Sequence, residues 1–378
     1  MQRSKFIANS VLKCWVSAGL SLAAVLSTVT IPALALGPAV GEPVQVAQAV
    51  NSLTLLRNIS HGRNVNAIAF SPNGQMLASA GGDGLLRVWD VDAALKGDEN
   101  LWLRRLISIP ATDRYVTSLA FSPDNRYLVT GTFNGDVRIW DLSICEQDRP
   151  VCNSQLVLER DYAGVAPVVK FSPSGRFLAA SNYDGTVTLW DWSRRQVLTV
   201  LEPETGAHDG ARLDGRFSSL TFSPDERYLA AGSHDDFITL WSLDPDDEFE
   251  RLTTIDTGNG VDSVAFSPDG EFLASGNYRG VEMRSIRSRQ GRLQIEEQAQ
   301  LEVGERVNTM VFLPDGQSLL IGDNRQHVSL WDIQSEEPLG GIPTNHQHSS
   351  PVLMVALSPN GNLLASASTD GVIKFWRP

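Results

Sequence analysis

Hydrophobic and polar residues alternate over residues 65–70, and this period of two predicts a half-buried β-strand. The sequence SPNG at 71–74 predicts a tight turn, because proline fixes φ and Asn-Gly tolerates the positive φ that closes a hairpin. Two further strands are predicted over 76–80 and 85–89, with a second turn between them. Three short antiparallel strands cannot bury both of their faces alone, so this unit needs neighbours.

The same strand-and-turn pattern returns six more times, at intervals of 51, 50, 51, 44, 46 and 45 residues. The residue that precedes the Ser-Pro or Leu-Pro turn marks each copy: Phe121, Phe171, Phe222, Phe266, Phe312 and Leu357. Repetition at this period is typical of solenoids and propellers. Units of four strands whose third strand ends in Trp-Asp, as at Trp89-Asp90, favour the propeller.

Over residues 52–378 the chain resembles the WD-repeat β-propellers. The resemblance implies an all-β fold, a seven-bladed β-propeller of four-stranded antiparallel blades with almost no helix. Residues 53–57 predict a lone strand, whereas the seventh unit ends near Trp376 with only three strands. In the resembling family the N-terminal strand pairs with the last blade and closes the ring, which removes two exposed sheet edges. The other fourth strands are predicted at 101–107, 155–158, 197–201, 251–255, 293–297 and 339–342.

Residues 1–35 predict a signal peptide. The last basic residue of this segment is Lys13, an uncharged apolar stretch follows, and the sequence Ala-Leu-Ala at 33–35 fits a signal-peptidase site. An uncleaved anchor is the alternative, because the uncharged stretch is long enough to span a bilayer. Residues 36–51 predict a linker, which leaves 52–378 as the propeller. We expect the propeller outside the cytoplasm, in a bacterial periplasm or secreted.

Cys145 and Cys152 are the only cysteines that remain after export, and an oxidising compartment would let them form a local disulfide bond. No histidine or further cysteine stands at ligand spacing from them, so we predict no metal site and no cofactor. The acidic run 244–248 is interpreted as a solvated loop, with a calcium site as the alternative. The basic segment 284–292 is interpreted as a solvated outer strand, with a patch for an acidic partner as the alternative.

The resemblance also implies a hydrogen-bond network inside a blade, formed by a His before the first strand, a Ser in the second, an Asp in the next turn and the Trp of the third. The first and seventh units carry all four residues: His61, Ser79, Asp83 and Trp89, then His348, Ser366, Asp370 and Trp376. These residues predict stability rather than chemistry. Units two to six lack the His, and unit five has also lost the Trp. We expect those blades to be held by apolar packing.

The position just before the network Asp predicts a partner-binding surface. In the resembling family this position faces the surface where partners dock. Four consecutive units carry rings there, namely Phe133, Tyr183, His234 and Tyr278, and Arg279 and Arg325 could supply charge beside them. Aromatic side chains bury a large contact area at low entropic cost, as interface anchors do. The alternative is that these turn residues are simply variable.

The formal net charge is −13, and the only charged residues among the first 35 are basic, so the rest of the chain carries −16. Such a surface repels phosphate, which argues against nucleic acid as a partner. No nucleophile elbow, zinc-protease motif or phosphate loop occurs. We therefore predict a monomeric, non-catalytic interaction scaffold with a protein or peptide partner, which contacts a membrane only through the possible anchor.

Two alternatives stay open. One is an exported propeller enzyme, a hydrolase or an oxidoreductase. The other is a binder of a small ligand or carbohydrate. Either would have its site at the channel mouth, where an enzyme would need convergent titratable groups.

Overall fold

Seven antiparallel sheets of four strands each make up the described part of the chain, which confirms the predicted all-β, seven-bladed propeller. The computed structural model describes residues 53–97, 103–108, 115–133, 135–144, 156–158, 168–182, 185–203, 217–289, 292–341 and 347–378. The predicted signal peptide or anchor over 1–35, the linker over 36–51 and the cysteine pair Cys145 and Cys152 lie outside these residues.

The strands follow one another along the chain as the repeat predicts. The first half comprises β1 (Thr54–Ser60), β2 (Val65–Phe70), β3 (Met76–Gly81), β4 (Leu85–Asp90), β5 (Leu103–Ser108), β6 (Val116–Phe121), β7 (Tyr127–Thr132), β8 (Val137–Asp141), β9 (Leu156–Leu158), β10 (Val169–Phe171), β11 (Phe177–Ser181), β12 (Val187–Asp191), β13 (Gln196–Leu201) and β14 (Phe217–Phe222). The second half comprises β15 (Tyr228–Ser233), β16 (Phe237–Ser242), β17 (Arg251–Asp256), β18 (Ser263–Phe266), β19 (Phe272–Gly276), β20 (Val281–Arg289), β21 (Arg292–Leu301), β22 (Val307–Phe312), β23 (Ser318–Asp323), β24 (Val328–Asp332), β25 (Pro338–Gly341), β26 (Val352–Leu357), β27 (Leu364–Ser368) and β28 (Val372–Arg377).

Blades 1 to 6 each use four consecutive strands, from β2–β5 to β22–β25, and blade 7 combines β26, β27 and β28 with β1. Strand β1 runs antiparallel to β28, with Leu55 opposite Trp376 and Ile59 opposite Ile373. The predicted closure of the ring by the N-terminal strand is therefore confirmed. Ile59 and Ile373 are fully buried, so the closing pair contributes to the core as well as to the sheet.

The hairpin β20–β21 is longer than predicted. Its strands have nine and ten residues, and the pairing runs from Val281 opposite Leu301 to Arg289 opposite Arg292, with one register shift between Met283 and Arg284. The sequence expectation for the outer strand, 293–297, covers only half of it. Residues 292–301 contain no glycine or proline, so nothing in this sequence ends the strand early.

One short helix departs from the all-strand expectation. Helix α1 (Val91–Lys96) begins directly after β4, because the Asp90 carboxylate accepts a hydrogen bond from the amide of Ala93 at 2.9 Å. Gly97 ends it in the left-handed conformation with φ of 78°. The Asp of the first Trp-Asp pair thus acts as a helix cap. Val91 and Ala94 are buried against the blade.

The core lies between blades. Among the described residues, one cluster of buried apolar side chains occupies each of the seven blade interfaces. The largest fully buried side chains include Trp140, Trp241 and Trp376, which end the third strands of blades 2, 4 and 7. Because each blade has two apolar faces, its stability depends on both neighbours.

Polar side chains of the innermost strands also join neighbouring blades. The Asn66 amide donates to the carbonyl oxygen of Val116 at 3.1 Å, and the Asn308 amide donates to that of Val352 at 2.9 Å. Hydroxyl groups accept from the next blade's backbone at Ser118 (from Val169), Ser219 (from Val264) and Thr309 (from Val355). These Asn, Ser and Thr side chains therefore have structural partners.

The turns between first and second strands form contacts of a different kind. In five turns a glycine with positive φ faces a proline of the preceding blade, as Gly175 faces Pro123. Asn125 and Glu226 replace the glycine in blades 2 and 4 and keep φ near 60° (60° and 58°). The Asn125 side chain accepts from the amide of Asn73 at 2.9 Å, and Glu226 accepts from the Ser174 hydroxyl at 2.7 Å. Hydrogen bonds to the preceding blade accompany the strained conformation at these two positions.

Gly175→Ala should destabilise the protein more than Gly304→Ala. Both glycines have similar φ, 76° and 74°, so both variants carry the left-handed strain of about 1–2 kcal/mol. A Cβ at Gly175 would lie 2.5 Å from Cγ of Pro123, whereas nothing lies within 4 Å of one at Gly304. We expect the clash to add about 1–3 kcal/mol. Equal denaturant midpoints for the two variants would show that the blade contact is not tight.

Candidate functional site

The turns between second and third strands form one surface of the propeller. In blades 1, 2, 6 and 7 a backbone amide of this turn donates to the residue just before the innermost strand of the same blade, as in Gly82 to the carbonyl of Asn64 (3.1 Å), Phe133 to Tyr115 (2.8 Å) and Asn324 to Arg306 (3.0 Å). We call these turns, with the residues just before the innermost strands, the turn face. In these four blades the turn is thereby held beside the start of a strand that lines the central channel.

Phe133 lies on the turn face in contact with a residue that the sequence analysis missed. Phe133 is 53% exposed and Tyr115 is 54% exposed, and their ring centroids are 6.4 Å apart in an edge-to-face arrangement. Tyr115 comes directly before β6, and the repeat alignment considered only the turn position. The pair presents an exposed aromatic surface larger than either ring alone.

Tyr278 is 54% exposed on blade 5, and the guanidinium carbon of Arg279 lies 5.5 Å from its ring centroid. The Arg279 amide donates to the Asn277 side chain at 2.7 Å, which fixes the turn. Arg279 and Tyr278 therefore form one amphipathic unit. Tyr183, the fourth predicted ring, lies outside the described residues.

Exposed aromatic side chains are concentrated on this face. Among the described residues the large exposed hydrophobic side chains are Tyr115, Phe133, Ile144, Val197, Leu198, Val200, Leu252 and Tyr278. All three aromatic members of this set belong to the turn face, whereas Val197, Leu198, Val200 and Leu252 lie on the outer strands β13 and β17.

His234 belongs to a polar bridge between blades. Its Nε2 is 3.2 Å from Oδ1 of Asp262, and Arg306 donates to both carboxylate oxygens of Asp262 at 2.8 and 2.6 Å. Burial opposes ionisation of Asp262, yet the hydrogen bonds from His234 and Arg306 hold its pKa below the ordinary value. The bridge joins blades 4, 5 and 6, and it gives His234 a positioning partner that the sequence analysis missed.

Arg325 is paired rather than free. Its guanidinium lies 2.5 Å from the Glu305 carboxylate, so its charge is largely balanced on this face. The structure thus groups His234 with Asp262 and Arg306, Tyr278 with Arg279, and Arg325 with Glu305. It brings none of these groups into contact with Phe133.

The innermost strands of all seven blades line a central channel with a cavity of about 820 Å³. His234 and Asp262 line it at the level of the turn face. Among the described residues that line the cavity, the only other titratable side chain is Lys170. The described part of the chain also holds no group of three or more His, Cys, Asp or Glu side chains placed to bind a metal ion.

The predicted hydrogen-bond network of blade 7 forms a continuous chain. Trp376 donates from Nε1 to the Ser366 hydroxyl at 2.9 Å, the hydroxyl lies 2.7 Å from Nε2 of His348, and Nδ1 of His348 lies 3.0 Å from the Asp370 carboxylate. Burial disfavours the charged form of Asp370, but the hydrogen bond from His348 and two backbone amides lower its pKa to about 2. Every polar atom along the chain of bonds has a partner.

Blade 1 has the same four residues in a different arrangement. Trp89 donates to Ser79 at 2.7 Å and His61 contacts Ser79 through Nδ1 at 2.9 Å. Arg87 contacts both His61 and Asp83: its Nη1 donates to the carboxylate at 2.7 Å and lies 3.0 Å from Nε2 of His61. His61 Nε2 also lies 3.5 Å from Oδ1 of Asp83. Burial, together with the charge of Arg87, lowers the pKa of His61 to about 4, so the imidazole is neutral at pH 7.

Comparison with known proteins agrees with this architecture. The family profile described as "WD domain, G-beta repeat" matches residues 53–90, 104–141, 165–191, 205–242, 249–280 and 341–377, which is more than half of the chain. The chain belongs to the WD-repeat family. The profile matches six WD repeats, and the structure supplies the seventh as blade 6, β22–β25.

The curated relatives match only parts of this WD-repeat chain. Periodic tryptophan protein 2 of Arabidopsis thaliana is 26% identical over 60% of the chain and 22% of its own length. WD repeat-containing protein SL1-17 of Schistosoma mansoni is 34% identical over 39% of the chain and 46% of its own length. Small ribosomal subunit protein RACK1z of Oryza sativa subsp. japonica is 39% identical over 22% of the chain and 21% of its own length. The chain therefore spans less than half of each of these relatives.

Blade 5 of the WD-repeat ring contains a polar network of its own, so the expectation that only apolar packing holds this blade is wrong. The strand register places Arg284 opposite Leu273, where Trp89 stands opposite Leu77 in blade 1. Arg284 donates to the Ser275 hydroxyl at 3.0 Å, as a tryptophan would, and pairs with the Glu282 carboxylate. Glu282 in turn accepts from Asn277 at 2.9 Å. Arg284 is thus a buried residue and not part of a solvated basic strand.

Blade 6 uses another substitute. Its second strand has Ile321 at the serine position, and Trp331 donates instead to the Ser329 hydroxyl at 2.9 Å. His327 lies 2.9 Å from the Asp323 carboxylate, which also accepts from the amides of Arg325 and His327. A histidine–aspartate pair is present within the turn, although the histidine before the first strand is absent.

The acidic run 244–248 forms a capped turn in this WD-repeat ring. Asp244 accepts from the amide of Asp246 at 3.0 Å and begins a 3-10 turn over Pro245–Asp247. Ser242 donates to the Asp247 carboxylate at 3.1 Å. A helix that could span a membrane is absent from the part of the chain that the structure describes.

Arg284→Met should destabilise blade 5 by about 3–5 kcal/mol, because it leaves the buried Glu282 carboxylate without its cation. We expect the double variant Glu282→Gln/Arg284→Met to be more stable than Arg284→Met alone, since it removes both charges. Chemical denaturation of wild type, both single variants and the double variant gives the coupling energy. Additive effects would contradict an energetically coupled pair.

Acid should destabilise the fold in two steps. His61 binds a proton near pH 6.5 when unfolded and near pH 4 when folded, so its contribution is complete above pH 6.5 and is lost as the pH falls towards 4. We expect this step to cost roughly 3 kcal/mol. Asp370 adds a second loss as the pH falls from about 4 towards 2.

Denaturation at a series of pH values measures these steps, and His61→Gln should flatten only the first. The comparison uses the slope of unfolding free energy against pH, which is independent of the variant's absolute stability. An unchanged slope between pH 6.5 and 4 in His61→Gln would assign that step to another group.

Proposed function

We propose that this protein is a non-catalytic scaffold that binds a protein or peptide partner on the turn face. The observation that carries the proposal is the location of the exposed aromatic rings: Tyr115, Phe133 and Tyr278 all belong to that face. Aromatic anchors contribute a large share of the binding energy of protein interfaces. The large exposed apolar side chains on the outer strands β13 and β17 are all aliphatic, so those strands offer no exposed aromatic anchor.

The family supports the same class of function. WD-repeat proteins are mostly scaffolds that bind other proteins, and one relative is named as a small ribosomal subunit protein, which makes it a component of an assembly. The partner of this chain does not follow from its relatives, because the shared sequence spans only a small part of each of them.

The channel supports a scaffold better than an enzyme. Its Asn66, Ser118, Ser219 and Thr309 side chains bond to neighbouring blades, and Asp262 is held by Arg306 and His234. Acid–base catalysis needs titratable groups that converge on one substrate position. The described channel residues do not supply such a cluster.

We place the scaffold outside the cytoplasm as a monomer. The support is the sequence of residues 1–35, which has the charge and hydropathy pattern of an export signal or anchor. In that setting Cys145 and Cys152 form a disulfide bond. The net charge of −13 favours a protein partner over nucleic acid.

The double variant Phe133→Ala/Tyr278→Ala should lose its partner and keep its stability. Each ring is about half exposed, so its removal leaves the core intact, whereas loss of two anchors should weaken binding more than tenfold. Crosslinking in the native host, with a photoreactive residue at position 324, which lies on the turn face and carries none of the three rings, followed by mass spectrometry measures the loss. Val197→Ala/Leu198→Ala is the matched control, because it removes exposed apolar surface from β13 instead.

Equal crosslinking in wild type and in the turn-face variant would contradict the proposal. So would loss of the crosslink in both double variants at unchanged melting temperature, because the outer strands would then bind the partner as well. Crosslinks that disappear only from Phe133→Ala/Tyr278→Ala identify the partner and assign it to the turn face.

A further inference from the structure

Three exposed arginines, Arg279, Arg306 and Arg325, belong to the turn face of blades 5 and 6. Arg279 is in the turn between β19 and β20, and Arg325 is in the equivalent turn between β23 and β24. Arg306 comes directly before β22, the innermost strand of blade 6. We call these three residues the arginine patch. In a chain whose formal net charge is −13, such a group of exposed cations departs from the overall charge.

Backbone hydrogen bonds place the three residues next to one another. The amide of Val307 donates to the carbonyl of Asn277 at 2.9 Å, which holds the start of β22 beside the turn that carries Arg279. The amide of Asn324 donates to the carbonyl of Arg306 at 3.0 Å, which holds the turn of blade 6 against the same segment. The arginine patch is therefore continuous across the boundary between two blades.

The carboxylates that pair with the arginine patch are less exposed than the guanidinium groups. The side chain of Arg306 is 50% exposed and that of Asp262 only 10%, and the side chain of Arg325 is 69% exposed and that of Glu305 only 21%. Among the described residues, no carboxylate forms an ion pair with Arg279. An approaching partner would therefore meet guanidinium groups first.

The ion pairs fix the arginines without using all of their donors. A guanidinium group carries five N–H donors. Arg306 gives Nε and Nη2 to Asp262, and its Nη1 has no acceptor among the residues that the structure describes. Arg325 contacts Glu305 through Nη2. Arginines held in this way lose less rotamer freedom on binding, and they keep donors for a further carboxylate.

We propose that the arginine patch binds an acidic segment of the protein partner, with aspartate or glutamate side chains beside Arg279, Arg306 and Arg325 and an apolar residue against Tyr278. The proposal rests on the proposed function and names the chemistry of its partner. Three guanidinium groups and two carboxylates leave one net positive charge, which suits single charges spread along a chain. A phosphate group concentrates nearly two charges at pH 7 and favours arginines that share no charge with a carboxylate.

The neighbouring turn of blade 4 gives this segment a direction. Asp235 and Asp236 occupy that turn, so the sign of the surface charge reverses there. Like charges placed against each other disfavour binding. The acidic segment should therefore lie over blades 5 and 6 and turn away from blade 4.

Fluorescence anisotropy with a synthetic peptide tests the arginine patch. The probe is a short fluorescein-labelled peptide in which glutamate alternates with serine, and the matched peptide has glutamine in place of glutamate. We expect the wild-type protein to bind the glutamate peptide, with an affinity that falls as the salt concentration rises, and to leave the glutamine peptide free. No binding of the glutamate peptide, or equal binding of both peptides, overturns the proposal.

Two variants of one ion pair separate binding from structure. Arg325→Gln should weaken binding of the glutamate peptide about threefold to fivefold, whereas Glu305→Gln releases the charge of Arg325 and should strengthen it by a similar factor. Both variants break the same pair, so a merely structural role would change both affinities in the same direction. That result would overturn the proposal.

Arg194→Gln is the matched control. Its exposed guanidinium also pairs with a carboxylate, that of Asp191, but in the turn between β12 and β13 at the other end of the strands. The control should bind the glutamate peptide as wild type does. A loss of affinity as large as in Arg325→Gln would show a general charge effect and overturn the assignment to the arginine patch.

The crosslink from position 324 separates this proposal from the proposed function. Arg279→Gln/Arg325→Gln should weaken the crosslink as Phe133→Ala/Tyr278→Ala does. Loss in the aromatic variant alone would keep the scaffold and overturn its acidic partner. Without any crosslink in wild type the proposed function fails, and the peptide titration still decides the chemistry of the arginine patch. Tighter binding of a phosphoserine peptide of equal net charge would overturn the choice of carboxylate.

Discussion

The burial of each blade face by a neighbouring blade is the constraint on which the rest of this structure depends. Apolar clusters occupy all seven interfaces of the described ring, and isolated four-stranded sheets would expose these surfaces to water. Polar contacts also join neighbouring blades. Side chains such as Asn66 reach the next innermost strand, and Asn125 and Glu226 bond to the preceding turn. Stability is therefore shared around the ring.

Within this frame, the blades satisfy their buried polar groups in different ways. Blade 7 uses a linear chain from Trp376 to Asp370, and blade 1 adds Arg87 as a partner of both the histidine and the carboxylate. Blade 5 replaces the tryptophan with Arg284 and balances it with Glu282. The common feature of these three blades is that the network side chains have hydrogen-bond partners, although the residues differ. This is the expected outcome when an unpaired buried group costs more than a substituted one.

The repeat period was enough to predict the propeller and its seven blades, because each copy repeats the same turn chemistry. The closing strand followed from the lone strand at 53–57, the three-stranded last unit and the resemblance to the WD-repeat propellers. The exchange in blade 5 could not be predicted from spacing, since Arg284 reaches the tryptophan position only through a turn that is one residue shorter. Helix α1 was missed because Asp90 belongs to a Trp-Asp pair and its capping role depends on the residues after it. The turn rings were predicted from the repeat, whereas Tyr115 was not. Its ring lies against Phe133 only because the turn folds back to the start of the innermost strand, a contact between residues 18 positions apart.

The pairing of β1 with β28 has a consequence for the time at which the fold is completed. More than 300 residues separate the two strands, so one is synthesised long before the other. Until β28 is available, β1 is an unpaired edge and the last blade has only part of its sheet. Closure of the ring is therefore a late event with a large loop-closure entropy, and topology of this kind folds slowly. An exported chain of this design would complete its fold on the far side of the membrane, after its last strand has crossed.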